Sequence, residues 1–348
     1  MIISDNCSIK SVSTDLTREE WLEVRQTGLG GSDASVVLGL NKWNTPFALW
    51  AEKRGEVVSD FTGNEATRWG NRLERAVAEE YAERENVSVV AYPATLVSKE
   101  RDWQLANIDF FIMRHDYNGL YPAGQVTDVE PSSHRFESIT PDAILEIKTN
   151  GLTGRASKEW DNDGVPEAYF WQGAHYCATT GLRDVVFAAL IGGQGLQIRE
   201  RTYSEEQINA LNVMEADFWG LVQSGEKPSM TGGDADFDTL ATLYPTHIEG
   251  QTVQINEFDV DVFSEYYEAK TDADRAEERV KRLRAQIELL IGDAEAVEFD
   301  GKVLATFKAT KSSETFDTKA FKEAHPDMVK QFMKPKAGYR VLRVKEID

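Results

Sequence analysis

Cysteine and histidine are scarce in this chain. Its 348 residues include two cysteines, Cys7 and Cys177, and five histidines. Two cysteines make neither a zinc spacing nor a disulfide framework, and they cannot ligate a four-cysteine iron–sulfur cluster. The histidines form no H-x-x-H or H-E-x-x-H pattern, so a zinc site is not expected. No run of about 18 apolar residues occurs, so no membrane-spanning helix is expected. Residues Met1 to Asn6 lack a basic segment followed by an apolar one, so no signal peptide is expected, and a reducing cytoplasm fits. Basic residues are outnumbered, 38 against 59 acidic, for a net charge of −21. That balance argues against passive coating of nucleic acid, which needs a basic surface. It does not exclude an enzyme that grips nucleic acid in one local basic channel. So many carboxylates suit an oxygen-ligand metal such as Mg²⁺.

What is present is enough apolar sequence for a core, 41% of residues, on a chain longer than one average domain. Thr17 and Glu20 spell a capping box that opens a helix over residues 15–27. Gly28-Leu29-Gly30-Gly31-Ser32-Asp33-Ala34 then makes a glycine-rich turn into a short helix. Such turns offer N–H groups to anions, with Ser32 and Arg25 adding a hydroxyl and a guanidinium, although most glycine turns are only turns. Helices are expected over 46–55 and 64–85, the latter carrying Glu74, which is either a solvated edge carboxylate or a metal-site acid. Strands are expected over 87–92, 95–98, 183–191 and 196–203. Between them lie a polar insertion at 114–141 and a helix from Pro166 to Thr180, with Gln172 and Tyr176 on one face. A helix over 204–223 ends the first domain, 1–228. Residues 229–257 read as a linker, and 258–348 as an extension. The extension opens on a heptad seam, Val262, Tyr266, Ala269, Ala273, Ala276, Val280, Leu283, Ile287 and Leu290, whose alanine-rich centre points to an intramolecular helical arm. A hairpin at Asp300-Gly301, a helix at 317–333 and a strand at 339–344 complete it.

Two apolar runs carry misplaced charge: Leu105–Ile112, with Asp109, and Ala143–Thr149, with Glu146 and Lys148. Each reads as a buried strand. Glu146 and Lys148 are two apart and share a face, while Ile147 points into the core. Charge on a buried strand is costly unless paired, hydrated or metal-bound. An isolated Glu-x-Lys is ordinarily a structural ion pair. With a second acid nearby it becomes a metal-dependent nuclease site, and Asp109 is the candidate. Pro141-Asp142 imitates the nuclease signature, but an extended 142–146 places Asp142 roughly 13 Å from Glu146, too far to share a metal.

Six stretches, in order, carry a resemblance to a known family: Gly30–Ala34, Pro46–Trp50, Gly70–Glu74, Ala106–Asp109, Leu145–Thr149, and Gln172–Tyr176 with Thr180-Gly181. Over residues 20–228 the chain resembles the lambda-exonuclease-like, YqaJ-type viral recombinases, a branch of the PD-(D/E)XK nuclease fold. The resemblance implies an α/β fold, a restriction-endonuclease-like core with a central mixed sheet flanked by helices. It implies Mg²⁺ or Mn²⁺ held by Asp109, Glu146 and the Ile147 carbonyl, with Glu74 joining directly or through water. It makes Lys148 the catalytic lysine and Gln172 the helix glutamine beside it. Arg25, Ser32, Asn107 and Tyr176 are expected on the substrate phosphate. The implied activity is 5′→3′ resection of linear double-stranded DNA ends to 5′-mononucleotides, with the product strand passed to a single-strand annealing protein. A homo-oligomeric ring trimer and host-cell cytoplasm, for a phage-encoded chain, are the implied setting. The alternatives are a structure-specific endonuclease on the same fold and a catalytically silent DNA-end scaffold. One departure is Phe110, where the family has glycine after the strand aspartate; its bulk is expected to narrow the space beside the metal.

Overall fold

The computed structural model describes the chain apart from residues 1–3, 59–62, 115–118, 120, 130–139, 153–157, 336–337 and 346–348, and describes backbone only at 14 and 258. The described residues form two compact units, Met1–Tyr244 and Pro245–Asp348.

The first unit is built on a mixed six-stranded sheet flanked by helices. Its strands are β2 (Ser88–Ala91), β5 (Phe110–Met113), β6 (Val126–Asp128), β7 (Ala143–Asn150), β8 (Asp184–Ile191) and β9 (Gly195–Thr202), in the order β6-β2-β5-β7-β8-β9. A smaller antiparallel sheet joins β1 (Cys7–Val12), β3 (Ala94–Ser98) and β4 (Leu105–Asn107). Strand β7 is central, antiparallel to β5 and parallel to β8. The apolar run of β8 is buried from Val185 to Ala189 because helices cover both faces. On one face, α4 (Glu65–Glu85) lays Val77, Ala78 and Tyr81 in a cluster with Phe110, Leu145 and Ile147. On the other, α5 (Glu167–Thr180) and α6 (Glu205–Ser224) close a larger cluster around Ile144, Phe187 and Tyr203. Shorter helices α1 (Arg18–Gln26), α2 (Gly31–Val37) and α3 (Pro46–Lys53) precede α4. The Thr17–Glu20 capping box is present at the start of α1.

Several expectations are corrected. Leu105–Ile112 is not one strand. It breaks at Ile108-Asp109, where the chain passes from the small sheet to the large one. The expected insertion contributes β6, which pairs in parallel with β2 and whose Asp128 meets Arg75 at 2.6 Å; residues 115–118, 120 and 130–139 of it lie outside the described residues. The expected linker contains a helix, α7 (Asp234–Leu243). Asp236 fixes it to the first unit by accepting from Thr45 Oγ1 at 2.5 Å, and Leu240 and Leu243 pack on the cluster of Phe47 and Trp50. Few apolar residues sufficed there because the anchor is a polar one.

The second unit holds α8 (Glu257–Ile291) and the hairpin β10 (Ala296–Phe299) and β11 (Lys302–Thr306). Asp300 (φ 51°) and Gly301 (φ 72°) make its turn. The helix expected at 317–333 is two, α9 (Thr318–Ala324) and α10 (Pro326–Phe332), because Pro326 has no N–H and disfavours helix at His325. Residues 339–344, expected as a strand, form none; Tyr339, Val341 and Leu342 stay exposed.

Candidate active site

The break before β5 sets the site. At Asp109 the chain is between sheets, so its side chain reaches β7, accepting the Ile147 N–H at 2.9 Å on Oδ2. Glu146 and Lys148 project from the α5 face of β7. Lys148 Nζ lies 2.6 Å from Glu146 Oε1 and 4.6 Å from the centre of the Tyr169 ring. Gln172 Nε2, from α5, donates to the same Glu146 oxygen at 2.7 Å and lies 2.8 Å from the Tyr176 hydroxyl. Glu146 is 2% exposed, and its other oxygen, Oε2, is buried without a hydrogen-bond partner.

The electrostatics are those of crowded acids around one ammonium. Burial, then the Glu146 and Glu74 charges, push the Asp109 carboxyl well above its ordinary range. Burial and Glu146 likewise raise Glu74. Burial works to lower the Lys148 ammonium, but Glu146 and Asp109 outweigh it and hold the group above its usual value. Glu74 comes from α4, on the opposite side of the sheet from Gln172.

These groups fit an oxygen-ligand cation on one observation, the orphaned Glu146 Oε2, since a buried oxygen without a partner is costly. Among the described residues no three His, Cys, Asp or Glu side chains are gathered closely enough to hold a metal by themselves. The three acids are therefore not drawn into one cage. Asp142, the imitation of the signature, accepts the Arg114 N–H at 2.7 Å, and its own N–H bonds to the Ile112 carbonyl at the far end of the β5–β7 ladder. Phe110 is corrected as well. It stands opposite Leu145 in the sheet and lies in the cluster under α4. Its ring is thus on the face away from Glu146 and Lys148, because neighbouring side chains on a strand alternate.

Beside the carboxylates lies a cavity of about 110 Å³, lined by Arg25, Gly31, Ser32, Asn107, Gln172 and Tyr176 among others. Residues far apart in sequence, expected on the substrate phosphate, therefore share one hollow. Arg25 Nη2 is 3.4 Å from Ser32 Oγ and 3.5 Å from Asp33. Asp33 is buried and also meets Lys53 at 2.8 Å. Burial opposes its charge, but Lys53 and Arg25 hold its carboxyl down at about 2. Arg25 thus brings a guanidinium to the cavity wall, while Lys53 takes up the Asp33 charge behind it. The glycines owe their identity to packing: a Cβ on Gly31 would lie 2.4 Å from the Tyr176 ring, and one on Gly28 would lie 2.2 Å from the Trp103 carbonyl.

One cluster escaped sequence reading. His175 and Glu215 are fully buried, with Nδ1 2.7 Å from Oε1, and His175 Nε2 is 2.8 Å from the Leu105 carbonyl. The Leu105 carbonyl can only accept, so Nε2 carries a proton, and the Glu215 carboxyl at Nδ1 favours a second one on the ring. Burial opposes this, while Glu215 raises the His175 pKa above its ordinary value. Gln104 Nε2 completes the network, donating to Glu215 Oε2 at 2.9 Å and to Asn212 at 3.0 Å. The Leu105 N–H in turn donates to the Leu29 carbonyl at 2.8 Å. The pair thus pins the strand that carries Asn107 and leads into Asp109. Its members lie on different helices, so no local spacing could announce it.

A mixed sheet flanked by helices, with a Glu-x-Lys strand at its centre and an aspartate alongside, is the architecture of the PD-(D/E)XK class. Within that class the chain belongs to the YqaJ-like viral recombinase family. Residues 20–183 match the YqaJ-like viral recombinase domain. A Bacillus subtilis (strain 168) protein, "Uncharacterized protein YqaJ", is 30% identical over 348 residues, covering 99% of each chain. Among solved structures, an alkaline exonuclease (LHK-Exo) from Laribacter hongkongensis superposes with a TM-score of 0.44 at 12% identity, over 60% of this chain and 93% of that one. Its complex with dAMP gives the same values.

Proposed function

We propose that this protein is a metal-dependent exodeoxyribonuclease that resects linear double-stranded DNA from its ends in the 5′→3′ direction. The observation that carries this reading is the buried Glu146, bonded to Lys148 and Gln172 through one oxygen and unsatisfied at the other, beside a cavity lined by Arg25 and Ser32. Asp109, Glu146 and the Ile147 carbonyl would hold Mg²⁺ or Mn²⁺, with Glu74 completing the set directly or through water. When bound, such an ion lowers the pKa of water and neutralises charge developing on the scissile phosphate. Lys148 brings a fixed positive charge to the same point and orients the attacking water. Gln172 holds the Glu146 carboxylate in one rotamer. Arg25, Ser32, Asn107 and Tyr176 receive the 5′-terminal phosphate, which sets polarity. Release of 5′-mononucleotides leaves a 3′ overhang, the substrate a single-strand annealing protein needs in a recombinase setting. The acidic surface, net charge −21, discourages idle binding along the duplex. Assembly into a ring trimer belongs to this reading.

The terminal phosphate supplies the test. Linear duplex should be digested and covalently closed circles spared. Changing the 5′-phosphate to a 5′-hydroxyl should slow digestion about 10- to 100-fold, the worth of one or two charge-assisted hydrogen bonds. The Arg25→Ala and Ser32→Ala double variant should digest both ends at one slow rate. Wild-type protein that cuts both ends equally fast removes the cavity from the account, and digestion of closed circles makes the enzyme an endonuclease.

A further inference from the structure

Among its described residues, the second unit leaves most of a long helix exposed. Along α8, Val262, Tyr266, Ala269, Ala273, Ala276, Val280, Leu283 and Ile287 alternate in steps of four and three. That 3.5-residue period keeps one stripe turned toward a second, supercoiled helix. Val262 is 64% exposed, Val280 63% and Leu283 44%, and Ile291 is the one buried side chain among the described residues of this unit. Most of the stripe is therefore open within its own unit, and its last turns border the β10–β11 hairpin.

We propose that this stripe is a homodimer interface, an antiparallel coiled coil with α8 of a second copy, its two-fold axis beside Ala273 and Ala276. The stripe is nearly palindromic about that point. Antiparallel pairing sets Val262 against the partner's Ile287, Tyr266 against the partner's Leu283, Ala269 against the partner's Val280, and Ala273 against the partner's Ala276. Each pairing occurs twice, as a two-fold interface requires. The small residues meet at the centre, where two helices can approach most closely.

The flanking charges select the orientation. In this register Lys270 lies beside the partner's Glu277, and Asp272 beside the partner's Arg279, again each twice. A parallel pair in register would set Asp272 against Glu277 and Arg279 against Arg284, with Glu265–Lys270 as its single attraction. All six of these side chains are exposed; Asp272, Glu277 and Arg284 pair along the helix with Arg275, Lys281 and Glu288, exposed contacts that an interface can share or exchange. Exposed pairs add little affinity, but such flanking pairs choose partner and direction. A third feature agrees. The β10–β11 hairpin and the end of α8 form an apolar groove lined by Leu283, Ile287, Ile291, Ala305 and Phe307. The partner's Val262 and Tyr266 arrive there in this register.

Disulfide mapping on the full chain tests it, since Cys7 and Cys177 are both buried and leave a quiet background. Tyr266→Cys and Leu283→Cys are made as single variants and oxidised alone and as a mixture. Position 283 lies opposite the partner's 266 but roughly 25 Å along the axis from the partner's 283, at about 1.5 Å per residue. A disulfide spans Cα atoms no more than about 7 Å apart. The expected result is cross-linking in the mixture and none in either variant alone. In light scattering, Leu283→Glu with Ile287→Glu should halve the wild-type mass. Self-cross-linking of Leu283→Cys would show a parallel pair and overturn the register. No cross-link in the mixture, or a mass that the glutamates leave unchanged, would overturn the interface itself.

Discussion

Lys148→Ala should lower the rate of DNA hydrolysis by about 10²- to 10³-fold, the usual loss when one charge aimed at a transition state is removed. The chain should stay folded. Lys148 sits 2.6 Å from Glu146 Oε1 and over the Tyr169 ring, where Glu146 and Asp109 keep it positive against the effect of burial. On the proposed function it serves as a fixed cation rather than a general base, and the rate should show no inflection from its loss of a proton below its ordinary range, near pH 10.4. Truncation removes that cation and leaves Glu146 with Gln172 as its remaining donor on that oxygen. Lys148→Arg should not restore the rate, because a planar guanidinium cannot replace a compact ammonium at a side chain only 16% exposed. Single-turnover digestion of a labelled linear duplex measures all three. A rate within threefold of wild type for the alanine variant would place the chemistry elsewhere.

Glu215→Ala should destabilise the protein by about 3–5 kcal/mol, because removing one partner of a buried pair strands the other. His175 would remain, wholly buried, with the Leu105 carbonyl as its remaining acceptor. At this size each kcal/mol corresponds to about 2–4 °C, so the melting temperature should fall by roughly 10 °C. The pH dependence follows from the direction of the His175 shift. A folded-state pKa raised above the unfolded value, near 6.5, gives stability that is fully present below pH 6.5. It is lost as pH rises through the raised folded value. Wild-type stability should therefore decline above neutrality by this contribution, and Glu215→Gln should flatten the decline. Denaturant melts at pH 6 and pH 9 report it. Equal slopes with pH in wild type and variant would mean that the ring is neutral.

The sequence was informative where local chemistry decides structure. The Thr17–Glu20 box, the Asp300-Gly301 turn and the apolar run of β8 need only their neighbours to be read, and each stands where it was expected. Glu146 and Lys148 were visible because charge on an apolar strand is anomalous by itself. What stayed hidden depends on contacts across the chain. β1 pairs with β3 across about 85 residues, and β6 finds its partner in β2. α7 is held by the Thr45–Asp236 bond. The His175–Glu215 pair joins two helices with no shared spacing. Phe110 shows the limit from the other side. Its identity suggested an obstructed site, and only the register opposite Leu145 shows that its ring lies on the α4 side of the sheet.

The central claim is that Glu146 anchors the chemistry. The most direct measurement is digestion of a 5′-phosphorylated linear duplex with Mg²⁺ by the full chain, wild type beside Glu146→Gln, with thermal melts confirming that both are folded. Glutamine keeps the shape of the side chain and removes its charge. The account predicts steady release of 5′-mononucleotides by wild type and a loss of about a thousandfold in the variant. A folded Glu146→Gln protein that digests the duplex at the wild-type rate would contradict it.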